Sequence, residues 1–409
     1  SAAADSSWFA DGLTEEVIAA LAEVPGLTVI SRTSAMHYRD TKLPLREIAE
    51  ELRVAHVLEG SVRRSGTRVR ITAQLIEARG DRHLWAQSFD EELRDILSVQ
   101  EQIARRVAQA LEVELGDRGS TTLVRARTSD PEAYDLYRRA RYLWNTRTRE
   151  GHQRAAELYG QAIARDSSFA DAWAGLAVTH LTSIQVNVNV LPPDEEYARA
   201  KFAVERALAL DDKSADAHAT YGIAMHWQHN WPGWERALKR ALELNPNHSP
   251  AHSWYGLLLS GMGRPDEALR EHRRATELDP FSVTALSNYG WACYLSRDYV
   301  CAVEQLTRTT DLGGTYGWGR GYQRLALTYV QLGRLDDALA AVRKAIAASP
   351  ERPDYIADLA YVHARRGERA AAVEALRRAA TQPFEPFSIG RAWVALGNAD
   401  SAFVWLDRG

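Results

Sequence analysis

Twelve histidines, two cysteines and one glycine-rich run are the residues of this chain whose types and spacing could do chemistry. His226 and His229 stand three apart and His248 and His252 four apart, spacings at which neighbours on a helix can share a metal ion. No Asp, Glu or Cys is placed as a clear further ligand, so they read as surface or groove histidines and no metal is expected. Cys293 and Cys301 read as small core residues rather than a redox pair, because nothing near them in sequence would lower a thiol pKa. Gly314, Gly317, Gly319 and Gly321 follow no strand and so do not form a dinucleotide-binding loop. The chain has no G-x-x-x-x-G-K-S/T, H-E-x-x-H, C-x-x-C or G-x-S-x-G, and neither catalysis nor a cofactor is expected. One stretch keeps an alternative open. "SRTSAMHYR" (31–39) follows a segment with strand character, and α/β sheets bind ligands at such carboxyl ends. With Glu15 and Glu16 it could line a polar crevice, so a small-molecule receptor or enzyme using Ser31–His37 stands against a solvated loop.

The composition excludes several classes. Apolar residues are 45% and charged residues 25% of 409, an ordinary globular balance with room for more than one domain. Fifty basic and 54 acidic residues leave a net charge of −4, which offers no global field for nucleic acid. No run reaches the roughly 18–20 apolar residues of a membrane span, and no signal peptide is visible.

The elements that must position any site fall into two kinds. Up to about residue 116, helix and strand signals alternate. A helix over 13–22 is predicted from Leu13, Val17, Ile18 and Leu21, then a strand over 27–32, then a helix begun at Pro44 with Leu45, Ile48 and Leu52 inward. Val69, Ile71, Ala73 and Leu75 alternate with Arg68, Arg70, Thr72 and Gln74, the pattern of a half-buried strand. Its hairpin partner is 56–63, turned through "RSGT" (64–67), and a third strand runs over 83–89. Arg63, Arg64, Arg68 and Arg70 carry no interleaved aromatics, so this basic hairpin reads as a solvated face rather than an RNA surface. A closing helix carries Ile96, Val99, Ile103, Val107 and Leu111, and 117–131 reads as a linker. A helix leading into a strand at the start implies an α/β unit, with a mixed sheet, whose first strand is missing from the chain.

From residue 132 every strong segment has helical period, and it repeats. Gly222, Gly256 and Gly290 recur at a fixed interval, as do Ala241 with Ala275 and Pro246 with Pro280. Small residues let antiparallel helices approach closely, and proline stops the second helix of each pair. The period, with its small residues and closing proline, resembles the tetratricopeptide repeat. Seven repeats are expected over 132–386, with a capping helical pair over 387–409, forming an all-α right-handed superhelical solenoid. Repeat 2 carries an insertion within "SIQVNVNVLPPDEEY", and repeat 5 has Gly314 in place of proline.

"FADGLTEEVIAAL", "VISRTSAM", "LREIAEEL", "HVLEGSVRRSGTRVRITAQLIEA" and "RHLWAQSFD" together resemble the TolB-type amino-terminal α/β domain. That domain occurs fused to tetratricopeptide repeats in bacterial regulators, and "AYDLYRRARYLWNTRTREG" resembles the first repeat of such fusions. The resemblance implies that 1–116 is this domain and that the pair is the C-terminal, regulatory part of a signalling protein. Upstream it implies a kinase, a nucleotide cyclase or a winged-helix domain, often with a membrane span. The compartment would be periplasmic if a span precedes residue 1 and cytoplasmic otherwise.

The repeat resemblance also implies where binding takes place, on a concave wall of first helices at positions 2, 5, 9, 12 and 13. These are Tyr134, Tyr137, Arg141, Trp144 and Asn145 in repeat 1, His226 and Trp227 in repeat 3, and Trp291 and Tyr294 in repeat 5. Repeat 6 adds Arg320, Gln323 and Gln331, and repeat 7 adds Tyr361 and Arg365. Aromatic residues and Arg carry much of the binding energy at protein interfaces. Trp173 and Trp234 are expected to fill the stack instead. Position 9 lacks the Asn of a carboxylate clamp. The expected function is a non-catalytic sensor or scaffold that binds a peptide or protein segment in this groove. Neither nucleic acid nor membrane is an expected partner, and the exposed sheet edge is open to a second copy of the chain.

Overall fold

The computed structural model describes residues 2–22, 26–39, 41–65, 68–92, parts of 102–111, 128–146, 148–185, 191–313, 315–350, 352–380 and 386–407. They form two compact units: residues 1–255 with 277–280, and residues 256–276 with 281–409.

The first unit begins with helices α1 (Ala2–Ala22), α2 (Arg32–His37) and α3 (Leu45–Leu52). Three strands follow, β1 (His56–Ser65), β2 (Arg68–Glu77) and β3 (Arg82–Glu92). They pair antiparallel in the order β1-β2-β3, with Ser65 opposite Arg68 and a register shift between Leu75 and Ile76. The inward row of β2, Val69, Ile71, Ala73 and Leu75, packs with Leu13, Val17 and Leu21 of α1 and with Ile103, Val107 and Leu111. Alternation therefore reads correctly: the opposite row is solvated, with Arg70 2.7 Å and Arg68 3.5 Å from Asp90 on β3. Ile96, Val99, the turn residues 66 and 67, and the linker over 117–127 lie outside the described residues.

Two expectations fail here. The helix predicted over 13–22 extends back to Ala2. The segment over 27–32 is not a strand, so the sheet is antiparallel among the described residues where a mixed one was expected. Leu27 and Val29 do pack on the sheet core, which accounts for their apolar spacing. Their backbone is satisfied elsewhere: Asn247 Nδ2 donates to Leu27 O at 2.7 Å, and Ser31 N donates to Leu278 O at 2.9 Å. An extended segment needs partners for its polar backbone, and two turns between helices supply them in place of a neighbouring strand.

Helices in antiparallel pairs make up the rest. The first unit holds α4 (Pro131–Trp144) with α5 (Arg149–Arg165), α6 (Ala170–Gln185) with α7 (Pro193–Leu210), and α8 (Ala215–Trp227) with α9 (Trp231–Leu244). Helices α10 (Ser249–Gly261) and α11 (Pro265–Leu278) come next. The second unit continues with α12 (Val283–Leu295) and α13 (Tyr299–Leu312), α14 (Thr315–Gln331) and α15 (Leu335–Ala348), and α16 (Pro353–Arg365) and α17 (Arg369–Ala379). It ends with α18 (Pro386–Ala395) and α19 (Ala399–Leu406). Side-chain caps start several of them: Asp130 accepts from Glu132 N and Ala133 N at 2.9 Å, and Asp298 accepts from Cys301 N at 3.0 Å. The recurrent glycine marks the helix crossing: a Cβ on Gly290 would lie 2.6 Å from Leu306 Cγ, closer than packed atoms tolerate. This architecture is a small antiparallel sheet with flanking helices followed by a helical solenoid of the tetratricopeptide type.

Candidate functional site

In the second unit, six of the residues named for the groove make defined contacts, with Trp291, Tyr294 and Tyr361 in one hydrophobic cluster. Trp291 and Tyr294, one helical turn apart on α12, stack with centroids 4.8 Å apart and planes 9° from parallel. Arg324 of α14 places its guanidinium 5.3 Å from the Trp291 ring and is held there by Ser287, whose O and Oγ accept from it at 2.6 and 2.8 Å. Tyr361 of α16 accepts from Gln331 at 3.4 Å and from Arg365 at 3.3 Å. Its other face carries Arg391 of α18, 5.2 Å from the ring centroid. Arg391 also pairs with Asp358, which accepts from Gln323 Nε2 at 2.8 Å. Asp358 is fully buried, and burial pushes its pKa up against the opposing pull of Arg391 and Gln323.

The arrangement follows from helical spacing. Residues four apart share a face, so Tyr361 and Arg365 fall together on α16. Gln331 and Arg365 are exposed, Trp291 and Tyr294 half-buried, and Tyr361 buried, so an apolar floor carries a polar rim. Arg320 is half-buried on α14 and makes no hydrogen bond or ion pair among the described residues. Arg324, Asp358 and Arg391 were missed. Arg391 stands in the capping pair, where the groove register had not been extended, and it is the cation over Tyr361.

The first unit is different, and it corrects the assignment there. Tyr134 and Tyr137 are 3% and 2% exposed and lie in the core of the first pair with Tyr159 and Phe169. They are packing residues, because the rings of Tyr159 and Phe169 and the neighbouring helices surround them. Arg141 Nε donates to Glu15 of α1 at 2.6 Å, and Arg141 Nη1 donates to the Tyr137 hydroxyl at 2.6 Å. Trp144 Nε1 donates to Thr182 at 2.9 Å, and Asn145 caps the end of α4. His226 and Trp227 end α8, where the His226 ring lies 4.4 Å from Trp234 and 5.7 Å from Trp231. Contact with these rings desolvates His226 and lowers its pKa, with His229 adding to the effect. Trp234 is buried as expected, and Trp173 is only half-buried.

Several polar groups at Ser31–His37 are engaged within the chain. Ser31 caps α2, and Ser34, fully buried, donates to Asp279 Oδ1 at 2.6 Å. Arg32 lies 3.7 Å from both Asp11 and Glu15. The histidines with metal spacing face separate partners: His248 Nε2 is 2.8 Å from Asp216, and His252 Nε2 is 3.0 Å from Pro246 O. Gly319 and Gly321 lie inside α14. Cys293 and Cys301 form a disulfide between α12 and α13, overturning the reading of two unpaired core thiols. Spacing along one strand of sequence conceals this pair, because a helix–turn–helix brings residues eight apart to a Cα separation of 5.8 Å.

Tetratricopeptide-repeat family models match residues 256–313 and 324–386, and a second such model matches 237–270. A curated relative, "Putative adenylate cyclase 3" of Rhizobium meliloti (strain 1021), is 34% identical over 223 residues, which is 54% of this chain. The chain spans 38% of that relative's length. Among solved structures, the Cut9–Hcn1 hetero-tetramer of the APC/C superposes with a TM-score of 0.53 at 14% identity, covering 75% of this chain and 54% of that one. The human IFIT1 dimer with m7Gppp-AAAA gives 0.51 at 12% identity, covering 77% and 80%. At these identities the likeness is one of fold. Residues 237–313 and 324–386 of this chain match tetratricopeptide repeats, and the helical part as a whole shares their fold.

Proposed function

We propose that the chain is a non-catalytic scaffold that binds a peptide or protein segment on the first-helix face of its second unit. The observation that carries this reading is the set of contacts made by Trp291, Tyr294, Gln331, Tyr361, Arg365 and Arg391, drawn from four first helices. Stacked aromatics and an arginine bonded through a tyrosine are held rigid before any partner arrives, which lowers the entropic cost of binding. The rim offers Arg320 and Arg365 as cations, so a segment with an acidic residue beside an aromatic or aliphatic one fits best. The name of the partial relative, an adenylate cyclase, supports placing this module in a bacterial signalling protein. The sequence resemblance alone suggests a TolB-like domain over 1–116, a linker over 117–131, seven repeats over 132–386 and a capping pair over 387–409.

Selection from a displayed peptide library tests the reading. The wild-type chain should enrich a consistent acidic–apolar motif, and a Trp291→Ala, Arg365→Ala double variant with unchanged melting should lose it. Enrichment of the same motif by the double variant would sink the proposal.

A further inference from the structure

A concave feature lies in the first unit. Helices α5, α6 and α7 enclose a cleft of about 570 Å³, within the range of small-ligand sites. Trp173 and Leu176 of α6 and Phe202 of α7 supply its apolar walls, with the Trp173 and Phe202 rings edge to face at 5.8 Å. His180 and Glu196 stand in the same lining, 7% and 1% exposed, and are paired through His180 Nδ1.

The opening has a specific cause. Gly160 of α5 lines the cleft, and a Cβ built there would meet nothing within 4 Å. Glycine inside a helix is destabilising relative to alanine, so helix stability does not account for it. At this register, two residues before the buried Ala162, the other six second helices of the repeats carry Glu205, Lys239, Arg273, Thr307, Arg343 and Arg377. A long side chain here would lie over the cleft. The His–Glu pair by itself recurs, as His363 and Glu368 at 2.5 Å, but the second helix before that pair carries Arg343. The missing side chain is what sets this site apart.

The polar chemistry is narrow. Burial, its largest influence, lowers the His180 pKa, so the imidazole is neutral at pH 7. Its Nδ1 carries the proton and donates to Glu196, whose other oxygen accepts from Leu191 N at 3.1 Å. Nε2 is then a bare acceptor, with no hydrogen bond among the described residues. At the rim Arg199 pairs with Glu195 and Glu157 with Arg154, leaving little net charge to attract an ion. We propose that this cleft binds a small neutral organic molecule with a flat apolar body and one N–H or O–H donor, the donor meeting His180 Nε2.

Indole and 1-methylindole are suitable probes, since a methyl group replaces the N–H donor in the second while the flat apolar body is kept. Titration followed by imidazole ¹⁵N resonances should show saturable indole binding with a shift at His180 Nε2, and binding of 1-methylindole weaker by about tenfold. Gly160→Arg, which restores the residue type of the other repeats, should abolish indole binding without lowering the melting temperature. Gly160→Leu should do the same and serves if the arginine variant folds poorly. Absence of saturable indole binding, equal binding of the two probes, or unchanged binding by a folded Gly160 variant would each overturn the proposal. The peptide selection above uses other helices, so either proposal can fail alone.

Discussion

Glu15 of α1 accepts a hydrogen bond from Arg141 of α4 at 2.6 Å, and this contact ties the N-terminal helix to the first repeat. Both side chains are largely shielded, at 13% and 23% exposure, and Glu15 also faces Arg32 at 3.7 Å. Removing Glu15 would leave two guanidinium groups short of a partner in a partly dry site. Glu15→Ala should therefore weaken α1 docking by about 1.5–3 kcal/mol, the range of hydrogen bonds to charged groups. Hydrogen exchange over residues 2–22 is the direct readout. Unchanged protection there would show the pair to be incidental.

Tyr137 separates a packing role from a binding role. Its ring lies 5.0 Å from Phe169 and 5.8 Å from Tyr159 in the core of the first pair. Tyr137→Ala should cost about 3–5 kcal/mol by leaving a cavity, as large aromatic truncations do. Tyr137→Phe keeps the ring and loses only the hydroxyl that accepts from Arg141, so it should cost far less. Chemical denaturation of the two variants distinguishes the effects, and selection of groove peptides should be unaffected by Tyr137→Phe.

His272 predicts a pH dependence. It is fully buried against Tyr289 and Gly256, and neither ring nitrogen has a hydrogen-bond partner among the described residues. Burial lowers its pKa from 6.5 to about 3. Between those values the unfolded chain binds a proton that the folded chain refuses, so this residue's contribution falls as pH drops below 6.5, by about 1.4 kcal/mol per unit. His272→Leu removes both the orphaned polar atoms and this proton linkage. The variant should gain stability over the parent, with a margin that widens from pH 7 to pH 5. A margin independent of pH would refute the assignment.

The Cys293–Cys301 disulfide predicts a labelling pattern. Cys293 is fully buried and Cys301 half-buried. A maleimide should label neither in the native oxidised chain. After reduction it should label Cys301 well ahead of Cys293, as mass spectrometry of the digest would show. Labelling before reduction would mean the pair is open.

Much of this was legible from local periodicity. The strand over Val69–Leu75 and its solvated arginines came directly from alternation, because a sheet with one buried face requires it. Helix pairs and their crossings came from small residues such as Gly290, since only a missing side chain admits Leu306 so closely. The 27–32 segment misled for a physical reason: its apolar spacing reports burial of Leu27 and Val29 but says nothing of where the backbone hydrogen bonds go. Helical register places Trp291 and Tyr294 together on one helix, but it does not tell how deeply a position is buried, as Tyr137 in the core of the first pair shows.

The sequence by itself determined the repeating helix pairs, the half-buried hairpin and the absence of familiar catalytic motifs, because each depends on residues close in the chain. The tertiary structure alone decided that α1 meets the first repeat through Glu15 and Arg141, that Ser34 pairs with Asp279, and that Arg391 stands over Tyr361. Those partners lie 126 and 245 residues apart for the first two pairs. Contacts at such separations leave no period in the sequence, since they depend on how whole helices pack rather than on any spacing along one of them.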